Sequence, residues 1–194
     1  MDEVINWIIA YSLKNGIVTE NNLPWFRYGI EKRLTTVVVM IPFFILAVLL
    51  TNFHVACVFL LSFYLLRSRM NGYHANKFFH CFIHSLLLEI VCLLLIYPLL
   101  NQLSVYTLSI ICFTLNFILA PYNHPNMHLN KEELYACRIS SRIRISCITI
   151  CNIILCALGH IDCAKGIVLG TSMAVYLLCL AYLRKGGTKH EECQ

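Results

Sequence analysis

Along this chain, apolar positions gather in long blocks. They show neither the every-second-residue spacing of a half-buried strand nor the one-sided spacing of a surface helix. The blocks cover roughly residues 34–52, 53–66, 81–100, 105–120, 143–159 and 164–183. A helix needs ~20 apolar residues to cross a ~30 Å hydrocarbon layer. Most of the blocks approach that length. Several are shorter, and the second and fifth are the two in question: they are either buried among neighbours, re-entrant, or lengthened by flanking aromatic residues at the interface. The pattern predicts an all-α integral membrane protein with about six transmembrane helices in one membrane domain, residues 34–183.

The first 33 residues form a separate segment. Val4 to Lys14 is apolar but too short to span, and Gly16 is placed to stop a helix. Asn21, Asn22 and Pro24 mark a break before a second short piece, Trp25 to Lys32. Two short amphipathic helices lying at the interface are predicted, with Trp7, Trp25 and Tyr28 at headgroup level. Packing of this segment on the end of the bundle is the rival arrangement. Asp2 and Glu3 open the chain without the basic lead-in of a cleavable signal, so none is expected.

Charge orients the spans. With six helices and both ends on one side, that side carries four basic residues of the opening segment (Lys14, Arg27, Lys32, Arg33). It also carries Arg67, Arg69 and Lys77 in a 67–80 loop and Lys131, Arg138, Arg142 and Arg144 in and just beyond a 121–142 loop. Arg184, Lys185 and Lys189 of a 184–194 tail complete the set. Lys165 stands alone on the other side. Positive charge stays cytoplasmic, so both termini are expected in the cytosol of a cell whose membrane the protein crosses. The net charge of +5 is therefore topological. A nucleic-acid module would cluster its basic residues on a soluble domain, so no nucleic-acid partner is expected; the surrounding partner is membrane lipid.

Composition supports this reading: 59% of residues are hydrophobic and 13% charged, where a soluble domain carries about a quarter charged. The eleven cysteines are an odd number and mostly sit singly inside apolar blocks, where a thiol packs as a small hydrophobe.

One cysteine differs in its surroundings. In N-G-Y-H-A-N-K-F-F-H-C-F-I-H-S, Asn71 to Ser85, three histidines and Cys81 stand where a charged loop turns into the third apolar block. A histidine-rich loop without chemistry is one reading. A metal site is a weak second, because His80 and Cys81 point about 100° apart on a helix and no further Cys/His pair completes a set of four. The third is a cysteine nucleophile with a histidine base, since a thiolate is favoured by a helix N-terminus and a basic neighbour. Helix geometry favours His84, three residues on and on the same face. His74, seven residues back, serves only if the chain bends between them. Geometry leaves the choice open.

The same stretch resembles the accessory gene regulator protein B (AgrB) family. Arg69, N-G-Y-H-A, Cys81 and Ser85 match a pattern close to G-G-Y-H-A, five residues, Cys, three residues, Ser. Ala120-Pro121, His124-Pro125-Asn126, Leu129, Glu132 and Glu133 are similar to the family's A-P-V-D-x-P-N-K-P-L followed by acidic residues. The resemblance implies an integral-membrane cysteine endopeptidase that processes a small quorum-sensing propeptide. It implies Cys81 as nucleophile, His74 as base, and an acyl-enzyme that closes into a thiolactone or lactone. It also implies a homodimer; no cofactor or metal is expected. Asn71, Tyr122, Asn123, Met127 and His128 depart from the pattern, which touches peptide recognition more than catalysis.

Supporting roles are open at this level. Ser85 is placed to bond the thiolate or a developing oxyanion, or its own helix backbone. Glu89 is the only acid inside a central apolar block, and such groups are costly unless used or paired. Arg67 and Arg69 are placed to clamp carboxylates of a substrate, or serve topology alone. The competing class is a non-enzymatic transporter or sensory subunit, which would need polar groups such as Glu89, Asn116 and Asn152 along a path.

Overall fold

The computed structural model describes residues 2–19, 22–70, 78–122 and 130–191, with Asp2, Pro24, Trp25, Tyr28, Lys32, Thr35, 78–81 and 184–191 described in backbone alone, so the headgroup placement expected of Trp25 and Tyr28 lies outside the described side chains. The described residues form seven α-helices and no strand: α1 (Asp2–Lys14), α2 (Leu23–Leu50), α3 (Phe53–Met70), α4 (Phe78–Ile90), α5 (Gln102–Leu119), α6 (Lys131–Ala157) and α7 (Ile161–Glu191). After α4 the chain continues in a π-helical stretch, Val91–Ile96, and a 3₁₀ turn, Tyr97–Leu99. Six helices are long and apolar enough to cross a membrane: Gly29–Leu50, Phe53–Met70, Phe82–Leu99, Gln102–Leu119, Lys131–Ala157 and Ile161–Leu183. This is an all-α, multi-pass membrane protein.

The chain divides into two compact units, Met1–Phe43 and Phe44–Gln194. In the first, α1 ends as its sequence dictates. Gly16 adopts φ 65°, its N–H donates to the Leu13 carbonyl and that of Ile17 to Ser12, closing the helix end in the Schellman pattern. Val4, Trp7 and Tyr11 are left exposed along one side of α1, with the rings of Trp7 and Tyr11 stacked at 5.9 Å. The expected second short helix does not stand apart. Trp25 to Lys32 is the leading part of α2, which runs unbroken to Leu50. Arg27, Glu31, Lys32 and Arg33 interrupt hydropathy but favour helix, and Arg27 pairs with Glu31 one turn on at 3.1 Å.

The second unit is built around α7, whose spanning stretch is by far the most buried of the six. Small residues bring α3 against it. A Cβ on Gly166 would meet the Val55 carbonyl at 3.0 Å, and one on Gly170 would run into the Phe59 carbonyl and the Ser62 hydroxyl. The Ser62 hydroxyl itself donates across to the Ile167 carbonyl at 3.2 Å. Lipid offers helices no hydrophobic drive to associate, so close packing through small residues and interhelical hydrogen bonds hold such bundles. Two asparagines add cross-links. Asn116 of α5 donates to the Met70 sulfur (3.0 Å) and accepts from Ser141 of α6 (3.1 Å). Asn152 of α6 donates to Ser109 of α5 (3.2 Å) and to the Ala164 carbonyl of α7 (3.4 Å). Two of the three groups named for a transport path, Asn116 and Asn152, are thus engaged between helices.

The two short apolar blocks gain length from polar flanks. α3 continues through Arg67 and Arg69 to Met70, and α6 starts twelve residues before its apolar block, at Lys131. Its start is fixed by a capping box: Asn130 accepts from the Glu133 N–H (2.8 Å) and the Glu133 carboxylate accepts from the Asn130 N–H (3.0 Å).

Candidate active site

One end of the second unit carries the candidate chemistry, and Ala120-Pro121-Tyr122 ties that end together. Pro121 has no N–H, so it cannot satisfy the last carbonyls of α5. Other elements supply the donors. Arg142 of α6 reaches the Phe117 carbonyl (3.3 Å) and Tyr182 of α7 reaches that of Leu119 (2.7 Å), while the helix's own cap residue, Ala120, donates to Asn116 (2.9 Å). The Arg142 guanidinium also lies over the Phe117 ring at 4.3 Å. The Tyr122 N–H donates to the Met70 carbonyl at the end of α3 (2.9 Å), and its ring, 5% exposed, packs edge-on against Tyr182 at 5.0 Å. Arg144 of α6 donates to the Leu65 carbonyl and the Ser68 hydroxyl of α3, each at 2.6 Å. The C-terminal ends of α3, α5 and α7 and the first half of α6 therefore meet at one level. Tyr122, a departure from the family pattern, is part of this buried join rather than of an exposed recognition loop.

Arg67 and Arg69 lie in the last turn of α3, not in a loop. Their charge there complements the negative end of the helix dipole.

His74 lies outside the described residues. α4 begins at Phe78, so Cys81 is its fourth residue. The first four amides of an α-helix have no carbonyl partner within it, and the dipole makes that end positive. A thiolate near residue 81 is favoured on both counts.

Helical register assigns the faces of α4. At about 100° per residue, Ser85 and Glu89 fall about 40° and 80° round from position 81, one and two turns deeper. Ser85 is 8% exposed and Glu89 is 0% exposed, whereas Ile83 and Leu87, on the opposite side, face outward. Position 81 thus lies at the edge of the inward sector, and position 84 lies about 60° to its other side. The His84 ring stacks on Tyr176 of α7, 6.0 Å between centroids and 16° from parallel. Tyr176 precedes Tyr182 by six residues, which sets His84 about 9 Å below the joined end at 1.5 Å of rise per residue. Both carboxylate oxygens of Glu89 are buried with no hydrogen-bond partner among the described residues. Just beyond, Pro98 cannot donate and its ring would press on the carbonyl four residues back. The chain widens there into π geometry, with the Tyr97 N–H bonded to the Cys92 carbonyl.

Tyr176, Tyr182 and Tyr122 were not among the candidates read from sequence. Tyr176 lies 92 residues from His84, and nothing local in the sequence pairs them.

Residues 2–180 match the model of a protein family described as Accessory gene regulator B. The chain belongs to that family. Accessory gene regulator B proteins take part in processing the peptide of a quorum-sensing system. No curated protein and no solved structure matches this chain. The match covers α4 and α7 as far as residue 180, so the resemblance read in the His74–Ser85 stretch extends over all but the last three residues of the 34–183 membrane domain.

Proposed function

We propose that this accessory gene regulator B protein is a membrane-embedded cysteine endopeptidase. It removes the C-terminal part of a short propeptide and promotes closure of the remainder into a thiolactone or lactone. The observation that supports the reading is the position of Cys81: fourth residue of α4 and three residues before His84, whose ring stacks on Tyr176 of α7. Family membership supports the same chemistry.

In this mechanism His74 takes the proton of Cys81, and the thiolate attacks the scissile carbonyl. The tetrahedral oxyanion collapses to a thioester, and the C-terminal fragment leaves as an amine with the proton held by His74. A thiol or hydroxyl within the bound peptide then attacks the thioester carbonyl, its proton passes to the base, and Cys81 is released as thiolate. Exchange of one thioester for another conserves bond energy, so a thiolactone closes without ATP. Water must be kept from the acyl-enzyme, and a nucleophile one turn inside a membrane helix meets that need. The basic end, with Arg67, Arg69, Arg138, Arg142 and Arg144, faces the cytoplasm by the positive-inside rule. It suits a precursor whose C-terminal part is acidic.

The test is capture of the intermediate. Protein in lipid vesicles is mixed with a precursor peptide carrying an internal cysteine and an acidic tail, quenched in acid and weighed intact. A mass increase equal to the acyl portion, mapped to Cys81 and removed by hydroxylamine, is expected. Cleavage with no adduct at Cys81 overturns the assignment.

A further inference from the structure

Glu89 has no assigned task, and its surroundings define one. It is fully buried, its two carboxylate oxygens accept no hydrogen bond among the described residues, and the ion pairs found there, Arg27–Glu31 and Asp162–Lys165, do not involve it. A carboxyl enclosed in this way in a membrane helix is costly unless something it binds arrives later. It shares the inward sector of α4 with Ser85, and Cys92 of the following π-helical stretch is buried as well. It also stands immediately before the π-helical stretch, Val91–Ile96. Widened turns of that kind recur at functional sites.

We propose that Glu89 is the inner peptide-binding group of the site, accepting a hydrogen bond from an N–H donor of the acyl portion of the precursor. The inference rests on the cysteine-peptidase reading above and extends it to substrate positioning. Eight residues of helix separate Glu89 from position 81, about 12 Å at 1.5 Å per residue. An extended peptide covers that distance in about four residues at ~3.3 Å each. The donor therefore lies about four residues upstream of the scissile bond. That is the segment that must fold back for its internal thiol or hydroxyl to reach the thioester. Holding it raises the effective concentration of the internal nucleophile over water. Glu89 touches the peptide and not the reacting atoms, so its loss changes binding and the ratio of cyclic to linear product more than the cleavage chemistry.

The experiment uses the full chain in vesicles, with two substitutions and two peptides. Glu89→Leu keeps the volume and removes the acceptor; Glu89→Gln keeps an acceptor oxygen. The long peptide carries six residues upstream of the scissile bond, and the short one carries two. On the long peptide, Glu89→Leu is expected to lose about tenfold in kcat/KM and to release mainly linear product, the loss of one hydrogen bond, while Glu89→Gln retains most of both. On the short peptide all three proteins are expected to cleave within about twofold of one another. Equal losses on both peptides would assign Glu89 to the fold, and no loss on either would leave it a packed carboxyl; both overturn the proposal. Cleavage that persists in Cys81→Ala would instead fail the parent reading, an outcome separable from either of these.

Discussion

The imidazole of His84 lies face to face with the ring of Tyr176, 6.0 Å between centroids and 16° from parallel, joining α4 to α7 one turn below position 81. A stacked histidine is held in place by its neighbour, which suits a wall better than a mobile base. Aromatic pairs contribute about 1 kcal/mol beyond their buried area. His84→Ala is therefore expected to lower the thermal stability of the purified protein by about that much while cleavage continues. His74→Ala is expected to abolish cleavage at unchanged stability. The check is melting in detergent beside a peptide-cleavage assay. A dead His84→Ala with an active His74→Ala would reverse the assignment of the base.

Close approach of α3 and α7 depends on positions 166 and 170. Gly170→Ala drives a methyl group into the Phe59 carbonyl and Ser62 hydroxyl. Overpacking of this kind costs about 2 kcal/mol, and a clear fall in melting temperature is expected. Gly29→Ala, where an added Cβ has nothing within 4 Å, serves as the comparison and is expected to be neutral or slightly stabilising. Equal melting of the two variants would contradict the packing described here.

Tyr182 bonds the Leu119 carbonyl because Pro121 leaves the end of α5 short of donors. Tyr182→Phe keeps the ring on Tyr122 and removes the donor, at a cost of about 1 kcal/mol. Cleavage is expected to fall only as far as the folded fraction falls. A tenfold loss of activity at unchanged melting would give Tyr182 a part in the chemistry.

The cysteines separate by environment. Cys147 and Cys151 are exposed on the surface of α6, but they lie within a span and face hydrocarbon once the membrane is present. A charged thiol reagent applied to open vesicles near neutral pH is expected to label Cys81 at least about tenfold faster than either, because the thiolate is the reacting form. Equal labelling would remove the case for an activated thiol.

Sequence alone was enough for the number and order of the spans, because twenty apolar residues sum to a signal that no single substitution hides. It misplaced their ends for one physical reason: hydropathy marks where lipid stops, not where a helix stops. Arg67 and Arg69 extend α3, Arg27 to Arg33 lie in α2 ahead of the apolar block that begins at residue 34, and Lys131 to Arg142 open α6, all stretches that carry charge and are helical. Family membership was legible in the motif from His74 to Ser85, the candidate site. Its walls were not, since Tyr176, Tyr182 and Tyr122 reach α4, α5 and α3 only through tertiary packing. Asn116 and Asn152 were named, with Glu89, as groups the competing transporter reading would need, yet each is engaged in hydrogen bonds between helices. A lone amide in an apolar block has the same appearance in either role.

The central claim is that the sulfur of Cys81 breaks the peptide bond of a precursor. Its most direct measurement is cleavage of a precursor peptide by Cys81→Ala in vesicles, with the melting temperature confirming that the variant is folded. No cleavage above the protein-free rate is predicted, while substitution of Cys147 or Cys151 leaves the rate unchanged. Cleavage by folded Cys81→Ala at the unsubstituted rate would contradict the account.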